Sequence, residues 1–186
     1  LAFVGGTALR FVHRLPRFSE DLDFSLHEHS GYQGETWMGK IKRDLRLAGL
    51  DVTVTWNDRK TVHSTWIRIG GLLNPVGLGA MMDQKLSIKL EIDTKPPAGA
   101  RTQNQVIDRH RLIAVQCYDL PSLMAGKLHA AITREYAKGR DWYDLIWYCT
   151  RVPPLEPNLI LLQNALDQTQ GVGLMDASKW RELIET

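Results

Sequence analysis

Two aspartates separated by a single residue are the most chemically distinctive feature of the 186-residue sequence. Residues 18–26 alternate between polar and apolar side chains, which predicts a β-strand with Asp21 and Asp23 on one face. Two carboxylates held side by side repel each other unless a proton or a cation lies between them. Because both are hard oxygen donors, the cation they indicate is Mg²⁺, with Mn²⁺ as an alternative.

A third acid is expected from a later strand. Residues 85–94 alternate in the same way, and Glu91 and Asp93 lie on the polar face of this segment. An acid from this strand, placed beside the aspartate pair, would complete a carboxylate set for one or two metal ions. At this point either Glu91 or Asp93 fits.

A glycine turn near the start of the chain indicates a binding place for phosphate. The apolar run of residues 1–4 stops at Gly5-Gly6-Thr7, and residues 8–15 are predicted to be helical. Strand, glycine turn and helix in this order expose backbone N–H groups at a helix N-terminus, where phosphate binds well. Together with the aspartate pair, the turn indicates chemistry on a phosphate group with a metal ion.

The elements that must position these residues form a mixed half and then a helical half. A helix capped at Thr36 and ending at Gly49 and a hairpin of residues 50–56 and 61–69 precede the strand of residues 85–94, and residues 112–118 form a last strand. Beyond residue 119 the patterns predict helices over residues 120–136, 140–150, 159–167 and 177–185. The predicted fold class is α/β (α+β), a small mixed β-sheet followed by a helical C-terminal half, with domains 1–118 and 119–186.

Composition excludes several classes of protein. With 44% hydrophobic and 24% charged residues, the chain is an ordinary globular protein with its own core. A formal net charge of +2 is far from that of a protein whose main task is coating nucleic acid. No apolar run is long enough for a membrane span, so no membrane partner is expected.

Cysteine usage and the first residues bear on the natural setting of the chain. Cys117 and Cys149 each lie in an apolar run, which predicts buried thiols in a reducing compartment and hence a cytoplasmic protein. The sequence has no initiator Met, and Leu1 already lies in a strand-like run. We therefore expect an N-terminal segment of the natural protein to precede residue 1.

Three sequence blocks resemble the signature blocks of the AbiEii/AbiGii toxin family, over roughly residues 2–150. They are Gly5-Gly6-Thr7-Ala8-Leu9, then Arg17-Phe18-Ser19-Glu20-Asp21-Leu22-Asp23-Phe24, and finally Lys138-Gly139-Arg140-Asp141-Trp142-Tyr143-Asp144-Leu145. That family consists of nucleotidyltransferases with the DNA-polymerase-β-type minimal fold, so the resemblance implies a nucleotidyltransferase core in the first domain. Its members are toxins of toxin–antitoxin or phage-defence pairs, and some transfer nucleotides to the acceptor end of tRNA.

The resemblance implies roles for the matched residues of the first half. The glycine turn, Gly5, Gly6 and Thr7, would bind the triphosphate of the nucleotide. Asp21 and Asp23 would be catalytic ligands of Mg²⁺. Glu91 would be the third metal ligand, and Asp93 is the second choice because it lies nearer the end of its strand.

The resemblance also implies roles in the helical half. The family places a Lys on the helix before the third block, and this position matches Lys127, which would neutralise triphosphate charge. Lys127 lies in an apolar helical segment, where an ammonium group is unfavourable unless it has a charged partner or ligand. Asp141 and Asp144 share a helix face. Asp144 would orient Lys127 or the attacking hydroxyl, Asp141 would be structural, and the motif does not decide between these roles.

The expected activity is transfer of NMP from an NTP to a hydroxyl acceptor, with the acceptor end of tRNA or another RNA as a candidate. By resemblance, the chain is the toxin of a toxin–antitoxin pair and binds a cognate antitoxin. One rival is a nucleotidyltransferase that modifies an antibiotic. Another is a module that binds a nucleotide or a partner without catalysis, although the intact aspartate pair, Lys127 and late block argue against it.

Overall fold

The computed structural model describes residues 1–28, 30–73, 75–79, 81, 83–108, 111–136 and 138–185. The chain forms two compact units. Unit 1 comprises Leu1 and Glu20–Lys95, and unit 2 comprises Ala2–Ser19 and Pro96–Thr186. The predicted domains, 1–118 and 119–186, stay predictions. The last residue of the second domain, Thr186, lies outside the described residues.

Seven strands and six α-helices form within the described residues. The strands are β1 (Ala2–Val4), β2 (Leu22–Ser25), β3 (Asp51–Asn57), β4 (Val62–Gly70), β5 (Leu86–Asp93), β6 (Thr102–Ile107) and β7 (Ile113–Tyr118). The helices are α1 (Gly5–Val12), α2 (Gly34–Leu47), α3 (Leu120–Thr133), α4 (Gly139–Cys149), α5 (Leu159–Gln170) and α6 (Trp180–Leu183), with a 3-10 turn at Ala177–Lys179. Strands pair in both directions, and four of the helices follow β7, so the predicted mixed α/β class is confirmed.

Unit 1 is a four-stranded arrangement in the order β3-β4-β5-β2, with α2 on one face. The pairs β3–β4 and β4–β5 are antiparallel, whereas β2 runs parallel to β5. Met38 of α2 packs against Leu26, Leu90 and Ile92 in a buried cluster. Because side chains alternate along a strand, burying the apolar residues under α2 leaves Asp23 and Glu91 on the opposite, polar face.

The start of α2 depends on a glycine. A helix capped at Thr36 is the sequence expectation, but α2 begins at Gly34. A Cβ atom at Gly34 would lie 2.5 Å from Cζ2 of Trp56, so a larger residue does not fit without movement of the indole. This contact lets the first turn of α2 lie directly on β3.

Unit 2 combines strands in the order β1-β7-β6 with the remaining helices. β1 is parallel to β7, and β6 is antiparallel to it. Helix α3 packs against α1, α4 and α5. Its start is fixed by Asp119, whose carboxylate accepts a 2.9 Å hydrogen bond from the backbone N–H of Ser122. α3 therefore holds a central place in this unit.

Two predictions about the first thirty residues are wrong in detail. Helix α1 begins at Gly5 rather than at residue 8, because Gly5 adopts a φ of +75° and turns the chain from β1 straight into the helix. The strand predicted over residues 18–26 is only Leu22–Ser25, because its ladder with β5 begins at Leu22; before it, the carbonyl of Ser19 accepts from the side chain of Arg10. Asp21 therefore directly precedes the strand instead of lying within it.

Two features of unit 2 also differ from expectation. Strand β6 was not predicted, because its polar sequence lacks the apolar alternation of a half-buried strand; its ladder with β7 supplies the hydrogen bonds. Cys117 is buried as predicted, but Cys149 is exposed, and both are free thiols. None of the helices in the described ranges has the length and apolar content needed to cross a membrane.

The core of unit 1 makes a direct stability prediction. Replacing Ile92, of which only 1% is exposed, by alanine leaves a cavity and is expected to lower the free energy of unfolding by about 2–5 kcal/mol. Leu47→Ala on α2, where 82% of the side chain is exposed, is the control. Its effect is expected within about 0.5 kcal/mol in urea denaturation. Equal effects of the two variants would contradict this view of the core.

Candidate functional site

Unit 2 contains a cluster of two buried carboxylates and three cations, which we call the ion cluster. Its members are Arg17, Lys127, Arg134, Asp141 and Asp144. The side chain of Asp144 is 0% exposed and that of Asp141 is 2% exposed. A carboxylate removed from water is stable in its charged form only when cations and hydrogen-bond donors surround it. The five side chains must therefore be treated as one unit.

Asp144 receives hydrogen bonds on both oxygens. The guanidinium of Arg17 donates to it in a bidentate arrangement, from Nε to Oδ1 at 2.6 Å and from Nη2 to Oδ2 at 2.7 Å. Nζ of Lys127 lies 2.9 Å from Oδ2. The hydrogen bond to Asp144 raises the pKa of Arg17, although burial acts in the opposite direction. Arg17 and Asp144 thus fix each other's orientation.

Asp141 pairs with Lys127 of α3 and with Arg134, the residue that directly follows α3. Its Oδ1 accepts a 3.1 Å hydrogen bond from Nζ of Lys127, and its Oδ2 accepts from Nη1 of Arg134. Lys127 therefore bridges both carboxylates, which lie one helical turn apart on α4, as their spacing predicts. Three cations face two anions in the cluster, so one positive charge remains uncompensated among these residues.

The burial of the two acids bears on the roles that the sequence left open. Asp144 has no exposed surface, and its oxygens are occupied by Arg17 and Lys127. A buried carboxylate in this state orients its cations and offers nothing to a substrate hydroxyl. The contacts thus favour a positioning role, through Lys127, for Asp144 and also for Asp141.

The glycine turn lies against the ion cluster. A Cβ atom at Gly6 would be 2.5 Å from Nη2 of Arg17 and 3.1 Å from Oγ of Ser19, so an alanine there would force the Arg17 guanidinium to shift from its present contact with Asp144. The hydroxyl groups of Thr7 and Ser19 are hydrogen-bonded at 2.8 Å, and Thr7 is 1% exposed. The hydroxyl of Thr7 is thus engaged within the protein, and the backbone of the turn is the part best suited to phosphate.

The N-terminus of α1 supports that assignment to the backbone. The residue before the helix, Val4, provides no side-chain cap, and the first turn contains no acidic residue. The first N–H groups of a helix have no partner inside the helix, and its dipole favours an anion there. Gly5 and Gly6 add no side chain at this end.

The predicted metal-binding acids lie in unit 1. In the parallel pairing of β2 and β5, Asp23 is in register with Glu91, and Ser25 is in register with Asp93. Register partners in neighbouring strands share a face, so Asp23 and Glu91 lie side by side. Glu91 forms an ion pair with Lys89, with Oε1 and Nζ 2.8 Å apart.

Asp93 is in a different environment from Glu91. Its Oδ1 accepts a 3.0 Å hydrogen bond from the backbone N–H of Lys95. Burial raises the pKa of Asp93, and this hydrogen bond partly opposes the change. Asp93 is thus engaged with the turn that follows β5, whereas Glu91 is engaged with a side chain of its own strand.

The expected set of three metal-binding acids does not form a metal-binding group among the described residues. Nowhere in the described ranges do three or more His, Cys, Asp or Glu side chains come close enough to hold a metal ion. Mg²⁺ at phosphate sites commonly takes one or two carboxylates and completes its shell with water and phosphate oxygens. The all-oxygen pair Asp21 and Asp23 fits that chemistry. Glu91 as the third metal ligand stays a prediction. In the structure its carboxylate forms an ion pair with Lys89.

Sequence reasoning assigned no role to Arg17, Arg134 or Ser19. Arg17 and Ser19 lie in the second signature block, but the resemblance implies no function for either residue. The signal for Arg17 and Arg134 was the pair Asp141 and Asp144 on an amphipathic helix, because acids that become buried need cations. Residue spacing does not identify the cations that pair with these acids, since Arg17 is 127 residues away from Asp144.

A comparison with family models identifies one match. The model described as nucleotidyl transferase AbiEii toxin, of a type IV toxin–antitoxin system, matches residues 1–173 of the 186-residue chain. This range includes the glycine turn, the aspartate pair and the ion cluster. No curated protein matches the chain.

Removal of the charge on Asp144 is expected to be costly. Asp144→Asn leaves Arg17 and Lys127 without their shared carboxylate and should lower the free energy of unfolding by about 3–5 kcal/mol. Asp44→Asn is the matched control, since Asp44 forms an exposed pair with Lys40 and should leave stability unchanged. Chemical denaturation of both variants checks the prediction. A stable Asp144→Asn variant would show that the ion cluster does not depend on this charge.

Gly6 is expected to respond to substitution in the opposite sense from another helical glycine. Gly6→Ala forces Arg17 away from its position and should destabilise the protein by about 1–3 kcal/mol. Gly39→Ala, in the interior of α2 with no heavy atom within 4 Å of the added Cβ, should stabilise it by up to about 1 kcal/mol. Thermal unfolding measures both. A neutral Gly6→Ala variant would contradict the close contact described above.

Proposed function

The chain belongs to the AbiEii nucleotidyl transferase toxin family, and on this premise we propose that it transfers NMP from an NTP to a hydroxyl group of an RNA. Membership in a type IV toxin–antitoxin family also implies an antitoxin as a partner. The observation that carries the proposal is the bridging position of Lys127 between two buried carboxylates, in a cluster with an excess of positive charge. A triphosphate is the kind of anion that such a cluster attracts.

Lys127 has the donors needed for a phosphate. An ammonium group has three N–H donors, and Asp141 and Asp144 can take two of them. We assign the third donor to an oxygen of the triphosphate. The backbone N–H groups of Gly5 and Gly6 would bind further phosphate oxygens at the start of α1. Arg17 then acts as a positioning residue, because its bidentate bond keeps Asp144 in place behind Lys127.

Asp21 and Asp23 are the residues proposed to hold Mg²⁺, with Mn²⁺ as an alternative. When bound there, the ion supplies neutralisation of phosphate charge. Two carboxylates held near each other, here one just before β2 and one within it, repel, and a shared cation removes this cost. Glu91 is proposed as the neighbouring acid that completes the polar sheet face at this point, since it is in register with Asp23.

The proposed reaction is a single displacement at phosphorus. An oxygen of the RNA hydroxyl forms a bond to the α-phosphorus while the bond from that phosphorus to the bridging oxygen breaks, and pyrophosphate leaves with the electron pair. The hydroxyl proton passes to an ionised carboxylate that acts as general base. Because Asp141 and Asp144 are buried and paired, we expect this base among the carboxylates of the polar sheet face. Positioning and electrostatics supply most of the acceleration.

The activity is tested with labelled nucleotides. The protein is incubated with each α-labelled NTP, Mg²⁺ and either total RNA or an aminoglycoside, and the products are separated by size. Label in the RNA fraction is the expected result. Label on the aminoglycoside would replace the proposed acceptor by an antibiotic. NTP binding without any transfer would contradict the enzymatic proposal.

A matched pair of adjacent acids tests the role of Asp21. Asp21→Asn should lower the rate of transfer at least about a hundredfold, as loss of one group that stabilises transition-state charge does in other enzymes. Glu20→Gln removes an exposed carboxylate at the neighbouring position and should leave the rate unchanged. Circular dichroism of both variants checks that the fold is intact. Full activity of a folded Asp21→Asn variant would reject the proposed metal site.

A further inference from the structure

The polar face of the unit 1 sheet carries an exposed tryptophan beside two cations. Trp66 of β4 is 39% exposed. The guanidinium carbon of Arg68 lies 5.5 Å from the centroid of its ring, and Nζ of Lys89 lies 6.0 Å from it. We call these three residues the Trp66 platform. The roles proposed above for nucleotide and metal binding use neither Trp66 nor Arg68, whereas Lys89 is also the ion-pair partner of Glu91.

The register places the Trp66 platform on the same face as the predicted metal-binding acids. Trp66 pairs with Lys89 of β5, and two residues along, Ser64 pairs with Glu91. Asp23 of β2 is the parallel partner of Glu91. With strands about 4.8 Å apart and about 3.3 Å per residue, the Cα atoms of Trp66 and Asp23 are roughly 12 Å apart.

Two exposed threonines of β3 lie beside the platform. Thr55 is the register partner of Trp66, and Thr53 is the partner of Arg68. Both are exposed and have short side chains, so no large side chain of β3 lies opposite these two positions. A large aromatic ring on the polar face of a sheet, rather than under α2, is not required by the core of unit 1.

We infer that the Trp66 platform docks the single-stranded end of the RNA acceptor; the inference rests on the proposed function. One base stacks on Trp66, as bases do on exposed aromatic residues of sheet surfaces in other RNA-binding domains. Arg68 and Lys89 contact the phosphates on either side of that base. A base within a strand has a phosphate on each side, which matches two cations around one ring. A free NTP carries all its phosphates on one side of its base, and therefore matches the two cations around the Trp66 ring less well.

The geometry also has a purely internal explanation, in which Arg68 and Lys89 stack on Trp66 to stabilise the sheet. The two explanations differ in what the variants change. Internal stacking affects the unfolding temperature only, whereas docking affects the affinity for RNA. The two readouts are therefore measured on the same proteins.

The test measures binding of a short, fluorescently labelled single-stranded RNA by anisotropy. Trp66→Ala should weaken RNA binding about tenfold, since a base that stacks on an aromatic side chain loses this contact in the variant. Trp66→Phe retains a stacking surface and should keep most of the affinity. Binding of a fluorescent NTP should be the same in all of these proteins, as should kcat, while KM for the acceptor rises in Trp66→Ala.

Charge is tested with two arginines on opposite faces of the unit 1 sheet. Arg68→Gln should weaken RNA binding and reduce its dependence on salt by about one phosphate contact. Arg43→Gln makes the same change on α2, where the side chain of Arg43 is 66% exposed. This control should leave RNA affinity unchanged.

The outcomes separate this inference from the proposed function. Transfer to RNA with unchanged affinity and KM in Trp66→Ala would overturn the platform and leave the enzyme proposal standing. Tighter RNA binding by wild type than by Trp66→Ala, without any transfer, would support the platform and contradict the enzyme proposal. Loss of NTP affinity in Trp66→Ala, or no RNA binding by wild type, would overturn the docking role.

Discussion

Two carboxylates without access to water set the conditions for the helical unit. Asp141 and Asp144 lie on one face of α4, and their charges are tolerable only because three cations reach them from two other parts of the chain. Arg17 comes from the segment after α1, and Lys127 and Arg134 come from α3 and its C-cap. This requirement explains the glycine at position 6, since any side chain there would occupy the space of the Arg17 guanidinium. It also explains how an ammonium group can remain in the apolar surroundings of α3.

The sheet of unit 1 follows a different rule, the division of each strand into two faces. Residues that alternate toward α2 form the buried cluster around Ile92, and those that alternate away carry Asp23, Glu91 and Trp66. The same periodicity that builds the core thus places the acids and the exposed ring on one surface. The roles proposed for this face depend on strand register, because a shift by one residue would exchange the two faces.

Much of the fold could be predicted from the sequence because periodicity and glycine signals are local. The alternation in residues 85–94 gave β5 and its acidic face, and the apolar spacing gave α2 and α3 to within a few residues. Strand β6 could not be predicted, because its polar sequence becomes a strand only through its ladder with β7. The start of α1 at Gly5 was missed because a positive φ at one glycine replaces a whole connecting turn.

The candidate site was predictable in its residue types but less so in its contacts. Asp21, Asp23 and Lys127 were singled out from spacing and family resemblance. That Lys127 bridges two acids, and that Arg17 holds one of them, depends on packing between distant segments and has no local signature. The third acid shows the same limit: register places Glu91 next to Asp23, yet Lys89 on its own strand provides its partner.

The most direct measurement of the central claim is a double-mutant cycle on NTP affinity with Arg17→Gln, Lys127→Gln and the combined variant. If Arg17 acts through Asp144 to position Lys127, each single change weakens NTP binding, and the combined variant binds no more weakly than Lys127→Gln alone. Additive losses of binding free energy would contradict this account, because they would mean that the two cations act on the nucleotide independently.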